Sequence, residues 1–413
     1  MKRAASLLLL CSTVLALGNP GRVTDEPTVG AFEQLKVEHL YFDNAPTGVT
    51  VSASGRMFSN FPRPATFTLG EVVNGTHKVA FPSAKINNPP SFVNDTNPMF
   101  ASNYLNFLLS LQQVLVDPLD RLWALDTGRP TVNGSMLLNS GGAKLLCFDL
   151  KTNSSTPLLS ITFPPTVAYP ETFLNDLRLD LRANVTKSGK GIVYIADSST
   201  QGRAGIIVAD LGTGQSWRHL DMHPSTLPEE GFRSAYDGVP LQPISPTGPF
   251  AGVYSQLTLG ADGIAISPDG EWLYYTPLAS RTLYRVRAAL LRVPSSGPGS
   301  TPTAALQARA GVEVVARTPS HANGLEQDAA GKIYLTAPEE NAIYTLDTGG
   351  LMDVIVRDPR IQWPDTAFLT KDKLWFTVNQ LWLQPAYQNG TDKRMKPFAV
   401  LSVPIKASPV LLH

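Results

Sequence analysis

Short apolar runs bounded by glycine, aspartate and proline recur along this chain, and few stretches carry the 3.6-residue spacing of a buried helix face. Residues 202–220 show the pattern most plainly. Ile206, Ile207 and Val208 predict a strand, and Gly212, Thr213 and Gly214 a turn that tolerates positive φ; Ser216, Trp217 and Arg218 resume an extended run beyond it. Two more strands are predicted just upstream, over residues 191–197 and 176–181. About four strands within about 45 residues is the size of one propeller blade.

A common form then repeats: an apolar pair, a turn rich in Asp and Gly, and a strand with an aromatic near its centre. It occurs at residues 48–58 (GVTVSASGRMF), 114–123 (VLVDPLDRLW), 177–194, 263–274 (GIAISPDGEWLY), 324–334 (GLEQDAAGKIY) and 366–375 (TAFLTKDKLW). Six units predict an all-β fold, a six-bladed β-propeller, occupying residues 19–413 as a single domain. The Pro- and Gly-rich stretches 222–252 and 294–311 fall between units and read as loop excursions, and no linker divides the chain into two sandwich domains. Residues 104–115 and 280–291 have spacing compatible with short helices, although the second also fits a strand.

The beginning of the chain changes the cellular picture. Lys2 and Arg3 precede a short apolar run ending near Leu17, with small residues before Asn19, which predicts a secretory signal peptide over residues 1–18. Six Asn-X-Ser/Thr sequons, at Asn74, Asn94, Asn133, Asn153, Asn184 and Asn389, agree with a glycosylated protein of the secretory pathway. With Cys11 inside the signal segment, Cys147 is left without an intramolecular partner, and its apolar strand predicts a buried, inert thiol. The balance of 34 basic and 34 acidic residues, without basic clusters, argues against a nucleic-acid or membrane surface. A monomer is expected.

Several short motifs, taken in order, resemble the insect yellow and major royal jelly proteins, a family of six-bladed propellers. Pro46-Thr47-Gly48 with Arg56, Phe58, Pro62 and Arg63 is similar to the family's first blade, and residues 121–128 (RLWALDTG) to its second. Residues 174–177 (LNDL), 194–197 (YIAD), Ile207-Val208 and Ser216-Trp217-Arg218 follow the third-blade pattern; residues 362–365 (QWPD), Leu374-Trp375 and 379–381 (NQL) that of the sixth. The paired cysteines of insect members are missing here, which points to a distant, fungal branch.

In a propeller, residues at the start of each innermost strand face one mouth of a central channel. Thr47, Asn175, Asp176, Asp262, Asn323 and Asp365 hold such positions, and Asn379 lies in a sixth-blade motif. Their oxygens suit a small polar or cationic organic molecule, or a calcium ion; as turn caps they would be purely structural. A second propeller family, of gluconolactonase and regucalcin type, uses a divalent metal for lactone hydrolysis. This chain resembles it less, because Thr47-Gly48 and Tyr275-Thr276-Pro277 stand where acidic ligands are expected. No cofactor and no metal are therefore expected.

Serine-elbow, zinc-helix, phosphate-loop and Cys-X-X-Cys motifs are absent from the sequence. The acid–base candidates are Asp365 and His321, the latter two residues before Asn323. The resemblance implies an isomerase or cyclase acting on a quinone-like or catechol intermediate of pigment or secondary metabolism; a non-catalytic protein that sequesters an amine, sterol or pigment is the alternative, and a metal-dependent lactonase of the gluconolactonase type a further one.

Overall fold

The computed structural model describes residues 29–30, 32–89, 104–132, 135–136, 138–139, 141–152, 154–243 and 255–413. The predicted signal segment and the sequons at Asn94, Asn133 and Asn153 lie outside these residues.

Six antiparallel sheets form the blades of a β-propeller, as the repeat predicts. Their innermost strands are Gly48–Val51, Leu111–Val116, Leu174–Asp180, Ala261–Ile266, Leu325–Gln327 and Pro364–Thr370. Each packs against the next around a ring, and the last returns to the first. We call the face where these strands begin the upper face and the one where they end the lower face.

The sixth blade is assembled from two distant parts of the chain. Lys36–Tyr41 is its outermost strand and pairs antiparallel with Phe398–Pro404. This pairing ties the ring shut through backbone hydrogen bonds and covers what would otherwise be an open sheet edge. Val29–Gly30 extends the fifth blade in the same way, alongside Met352–Arg357.

Strands inside such a ring are covered on both sides, so they read as continuous apolar runs. All six residues of Ile192–Asp197, of Gly205–Asp210 and of Ala261–Ile266 are buried. The apolar clusters lie between neighbouring blades: Trp123, Leu145 and Ile195 between the second and third, Tyr194, Ile264 and Tyr275 between the third and fourth. Trp217 belongs to this last cluster, and its indole N–H donates to the Leu291 carbonyl at 2.9 Å. It packs between blades. Cys147 is buried beside Trp123, and burial pushes its thiol up to about 12.

The repeating turn has a physical cause. Asp117 ends one inner strand, accepts from the Leu119 and Arg121 amides, and takes the Trp123 indole N–H at 2.8 Å. Asp328 repeats the arrangement with Ala330, Lys332 and the Tyr334 hydroxyl at 3.0 Å, and the Thr370 hydroxyl accepts the Trp375 indole N–H at 2.9 Å. One polar side chain thus closes the turn and satisfies the polar end of the aromatic in the next strand.

One helix expectation fails. Residues 104–115 pass from a turn into the strand Leu111–Val116, because ladder pairing with Arg121–Thr127 and burial between blades override the helical spacing. Residues 280–291 divide into the strand Thr282–Arg287 and the helix Ala288–Arg292. A further helix, Ala304–Ala310, lies within the Pro- and Gly-rich excursion after it.

Candidate functional site

Local register shifts create the site. The inner strands of the third, fourth and sixth blades break register between Leu174 and Leu177, Ala261 and Ile264, and Pro364 and Ala367. A bulge leaves residues unpaired and re-aims their side chains. The residues inside the three shifts are Asn175 and Asp176, Asp262 and Gly263, and Asp365 and Thr366. Asn323 and Gly324 occupy the same place ahead of Leu325. A Cβ at Gly324 would stand 2.4 Å from the Asp365 carbonyl oxygen, and one at Gly263 3.0 Å from that of Asn323. Glycine there lets adjacent inner strands approach closely enough for their polar side chains to meet.

Five of the residues singled out from the sequence meet in two hydrogen-bonded groups, Asn175 with Asp262, and Asp365 with Asn323 and Asn379. The Asn175 amide donates to Asp262 Oδ1 at 2.5 Å and to the Ser198 hydroxyl at 2.6 Å. Asp365 accepts from Asn323 through Oδ1 at 2.9 Å and from Asn379 through Oδ2 at 2.6 Å. Asn379 also donates to the Pro46 carbonyl at 3.1 Å, linking the last blade to the first. Thr47 lies at the corresponding position of the first blade; its hydroxyl donates to the Gln112 carbonyl at 3.0 Å and accepts from Asn60 at 2.7 Å, so it serves the blade junction.

Trp363 organises one side of this ring. It is wholly buried with φ of 59°, a left-handed backbone that a bulky residue seldom adopts. Its indole N–H donates to Asn323 Oδ1 at 2.9 Å, which turns the Asn323 amide nitrogen toward Asp365. His321 stacks at a tilt against Trp363, with ring centroids 5.3 Å apart, and edge-on to Phe232. Burial lowers its pKa to about 4, so the ring is neutral, and neither ring nitrogen has a hydrogen-bond partner in the protein. Above lies a roof of Phe232, Tyr236, Trp363, Trp382 and Tyr387, in which Tyr236 stacks on Trp382 at 4.3 Å. Most of it comes from the excursions after the third blade and after Val378.

The electrostatics of the ring are unusual for so neutral a protein. Asp176, Asp262 and Asp365 are all buried, and burial raises the pKa of each; Asp176 reaches about 7 despite the Arg178 guanidinium, which lowers it. Asp176 and Asp365 push Asp262 up further, and Asp176 does the same to Asp365. The hydrogen-bond partners of Asp262 and Asp365 are amides rather than cations. Among the described residues no group of three His, Cys, Asp or Glu side chains is placed to hold a metal ion, and both oxygens of Asp365 already accept amide protons.

Two contributions escape the sequence reading. Arg178 stands two residues after Asp176 on the same strand face, and its Nη2 crosses the lumen to the Leu325 carbonyl and to Glu326, 3.4 Å away. Gln113, in the shifted start of the second blade, accepts from the Leu177 amide. The i, i+2 spacing could have found Arg178; nothing local marks Gln113. Of the sequons within the described residues, Asn74, Asn184 and Asn389 are all exposed.

A closed ring of six blades around a polar lumen defines a six-bladed β-propeller with its candidate site at the upper mouth. The major royal jelly protein model matches residues 109–403, more than two thirds of the chain, and the chain belongs to that family. Similar relatives include protein yellow of Drosophila madeirensis, 25% identical over 356 residues that cover 80% of this chain and 56% of the fly protein. Major royal jelly protein 7 of Apis mellifera is 28% identical over 179 residues, covering 43% of this chain and 35% of the bee protein. The aligned part is thus about half or less of these relatives' own length. A calcium-binding protein, regucalcin, from Agrobacterium tumefaciens shares the fold, with a TM-score of 0.51, 14% identity, and coverage of 90% of this chain and 95% of that one.

Proposed function

We propose that this member of the family is a secreted glycoprotein that binds a small aromatic molecule bearing an amine or catechol group at the upper mouth of its channel. The reading rests on one observation: three buried carboxyl groups, Asp176, Asp262 and Asp365, lie close enough to raise one another's pKa, and the partners of two of them are uncharged amides. Such a cluster favours a ligand that brings positive charge or several N–H and O–H donors. The aromatic roof supplies flat apolar contact for a ring, and Asn379 Oδ1, buried without a partner in the protein, supplies one more acceptor. Exposed Asn74, Asn184 and Asn389 support the secretory assignment.

A second, catalytic reading follows from Asp176. A carboxyl group that titrates near neutrality can take a proton from one atom of a bound intermediate and return it to another, which is the requirement of an isomerase or cyclase. Asp365 and neutral His321 would then orient the substrate and polarise it.

Calorimetric titration with dopamine, as a probe carrying both groups, tests the binding reading. Saturable binding that strengthens as pH rises through about 7 and weakens at least about tenfold in Asp365→Asn is expected, because the ligand selects the ionised carboxylates. Absence of saturable binding across a panel of aromatic amines and catechols overturns it. Binding of quinone or catechol intermediates without product overturns the catalytic reading alone.

A further inference from the structure

On the lower face the six inner strands end around a cavity of about 580 Å³. Its wall is formed largely by the strand ends, including Val51, Val116, Leu181, Ile266 and Leu369. Residues 408–412, close to the end of the chain, cross its mouth. Together with Ala407 before them they are fastened to three blades: the Asp372 amide donates to the Ala407 carbonyl, that of Ala329 to Ser408 and that of Leu181 to Leu412, each at 2.8 Å. Leu412 is buried in the cluster between the third and fourth blades.

Arg178 lines the lumenal side of this cavity together with Glu326. Its Nη1 donates to the Leu177 carbonyl at 2.7 Å and its Nη2 to the Leu325 carbonyl, while its Nε, also buried, has no acceptor in the protein. A buried donor without an acceptor costs about 1–3 kcal/mol, more when charged. The cavity therefore combines apolar strand ends with a few charged side chains of both signs, Asp117, Glu326, Lys371 and Arg178, the last bringing one buried donor without an acceptor in the protein.

We propose that the lower cavity is a second binding site, for a neutral and largely apolar small molecule carrying one acceptor oxygen. The oxygen accepts from Arg178 Nε, and the apolar body lies against the strand ends beneath residues 408–412. The size falls within the roughly 300–1,000 Å³ of small-molecule sites. Charge decides the class. Glu326 and Asp176 already face the guanidinium, so an added anion meets two acidic groups, and a cation meets Arg178 itself. A carbonyl or hydroxyl oxygen avoids both conflicts.

The site is separate from the upper mouth and does not rest on the reading given for it. Titration of the full chain with Nile red, a neutral apolar dye bearing a carbonyl, provides the test through its fluorescence. Saturable binding is expected. Leu179→Trp, inside the cavity, abolishes it, and Ala53→Trp, on an exposed turn at the rim, weakens it by about tenfold or more. Asp365→Asn, at the opposite mouth, leaves it unchanged. Because Ala53 is exposed, its variant keeps the test decisive if Leu179→Trp fails to fold. Native-like dye affinity in a folded Ala53→Trp protein, absence of saturable binding, or loss of binding in Asp365→Asn would overturn the proposal.

Discussion

At the upper end of the channel the inner strands of four blades begin with Asn175, Asp262, Asn323 and Asp365, while at the lower end the same strands finish among Leu181, Ile266, Leu369 and a C-terminal segment. The strands are common to both ends; the bulges are not. Register shifts at the starts of three of these strands release polar side chains into the lumen, whereas their lower ends stay paired to the turn. Between the two ends Arg178 reaches from the third blade to the fifth. One sheet edge can thus present two chemistries, a cluster of carboxyl groups under aromatic rings and a largely apolar cavity under a strap of chain.

Removing the divider has the largest expected effect. Arg178→Met leaves Glu326 and Asp176 without their cation and the Leu325 carbonyl without its donor, and we expect a loss of about 3–5 kcal/mol in denaturant unfolding. A loss below about 1 kcal/mol would mean that Arg178 does not hold the two ends apart.

Asp176→Asn removes a carboxyl group beside the same guanidinium and acts in the opposite direction. The folded pKa of Asp176, about 7, lies above its ordinary 3.8, so the native state holds a proton that the unfolded chain releases. Its contribution is therefore fully present below about pH 4 and is lost as pH rises toward about 7. The asparagine variant should be more stable than the native protein at pH 7.5, by at least about 1 kcal/mol, and should flatten the fall in melting temperature across that window. An unchanged pH profile would show that Asp176 titrates normally.

The smallest effects concern the rims. Asn184 lies in the turn after the third inner strand, on the lower face, and Asn389 in the excursion after Val378, on the upper face. Asn184→Gln and Asn389→Gln should each remove one glycan, read by mass after expression through a secretory host, and change stability by no more than about 0.5 kcal/mol. If a glycan screens the upper mouth, only Asn389→Gln speeds ligand association there.

Much of the architecture was legible because blade formation is local. Residues 263–274 and 324–334 carry their turn, their paired strands and their aromatic within a dozen residues, so repetition in sequence became repetition in space. The site was half legible for the same reason: Asn175, Asp262, Asn323 and Asp365 recur at one place in the repeat. Their mutual contacts were not, since Asn175 meets Asp262 and Asn323 meets Asp365 only once the ring closes.

The failure at residues 104–115 marks the limit of local pattern. Apolar spacing there fits a helix, and only pairing with Arg121–Thr127 decides for a strand. The chain alone therefore determined six repeating sheet units, the polar residues that open them and the sequons between them, because each depends on neighbours within a dozen residues. The tertiary structure decided that Lys36–Tyr41 completes the last blade, that Arg178 spans the lumen, that Trp363 roofs Asn323, and that residues 408–412 cover the lower mouth. Those contacts join residues tens to hundreds of positions apart. No local periodicity encodes them, and they form only when burial between blades brings the inner strands around one axis.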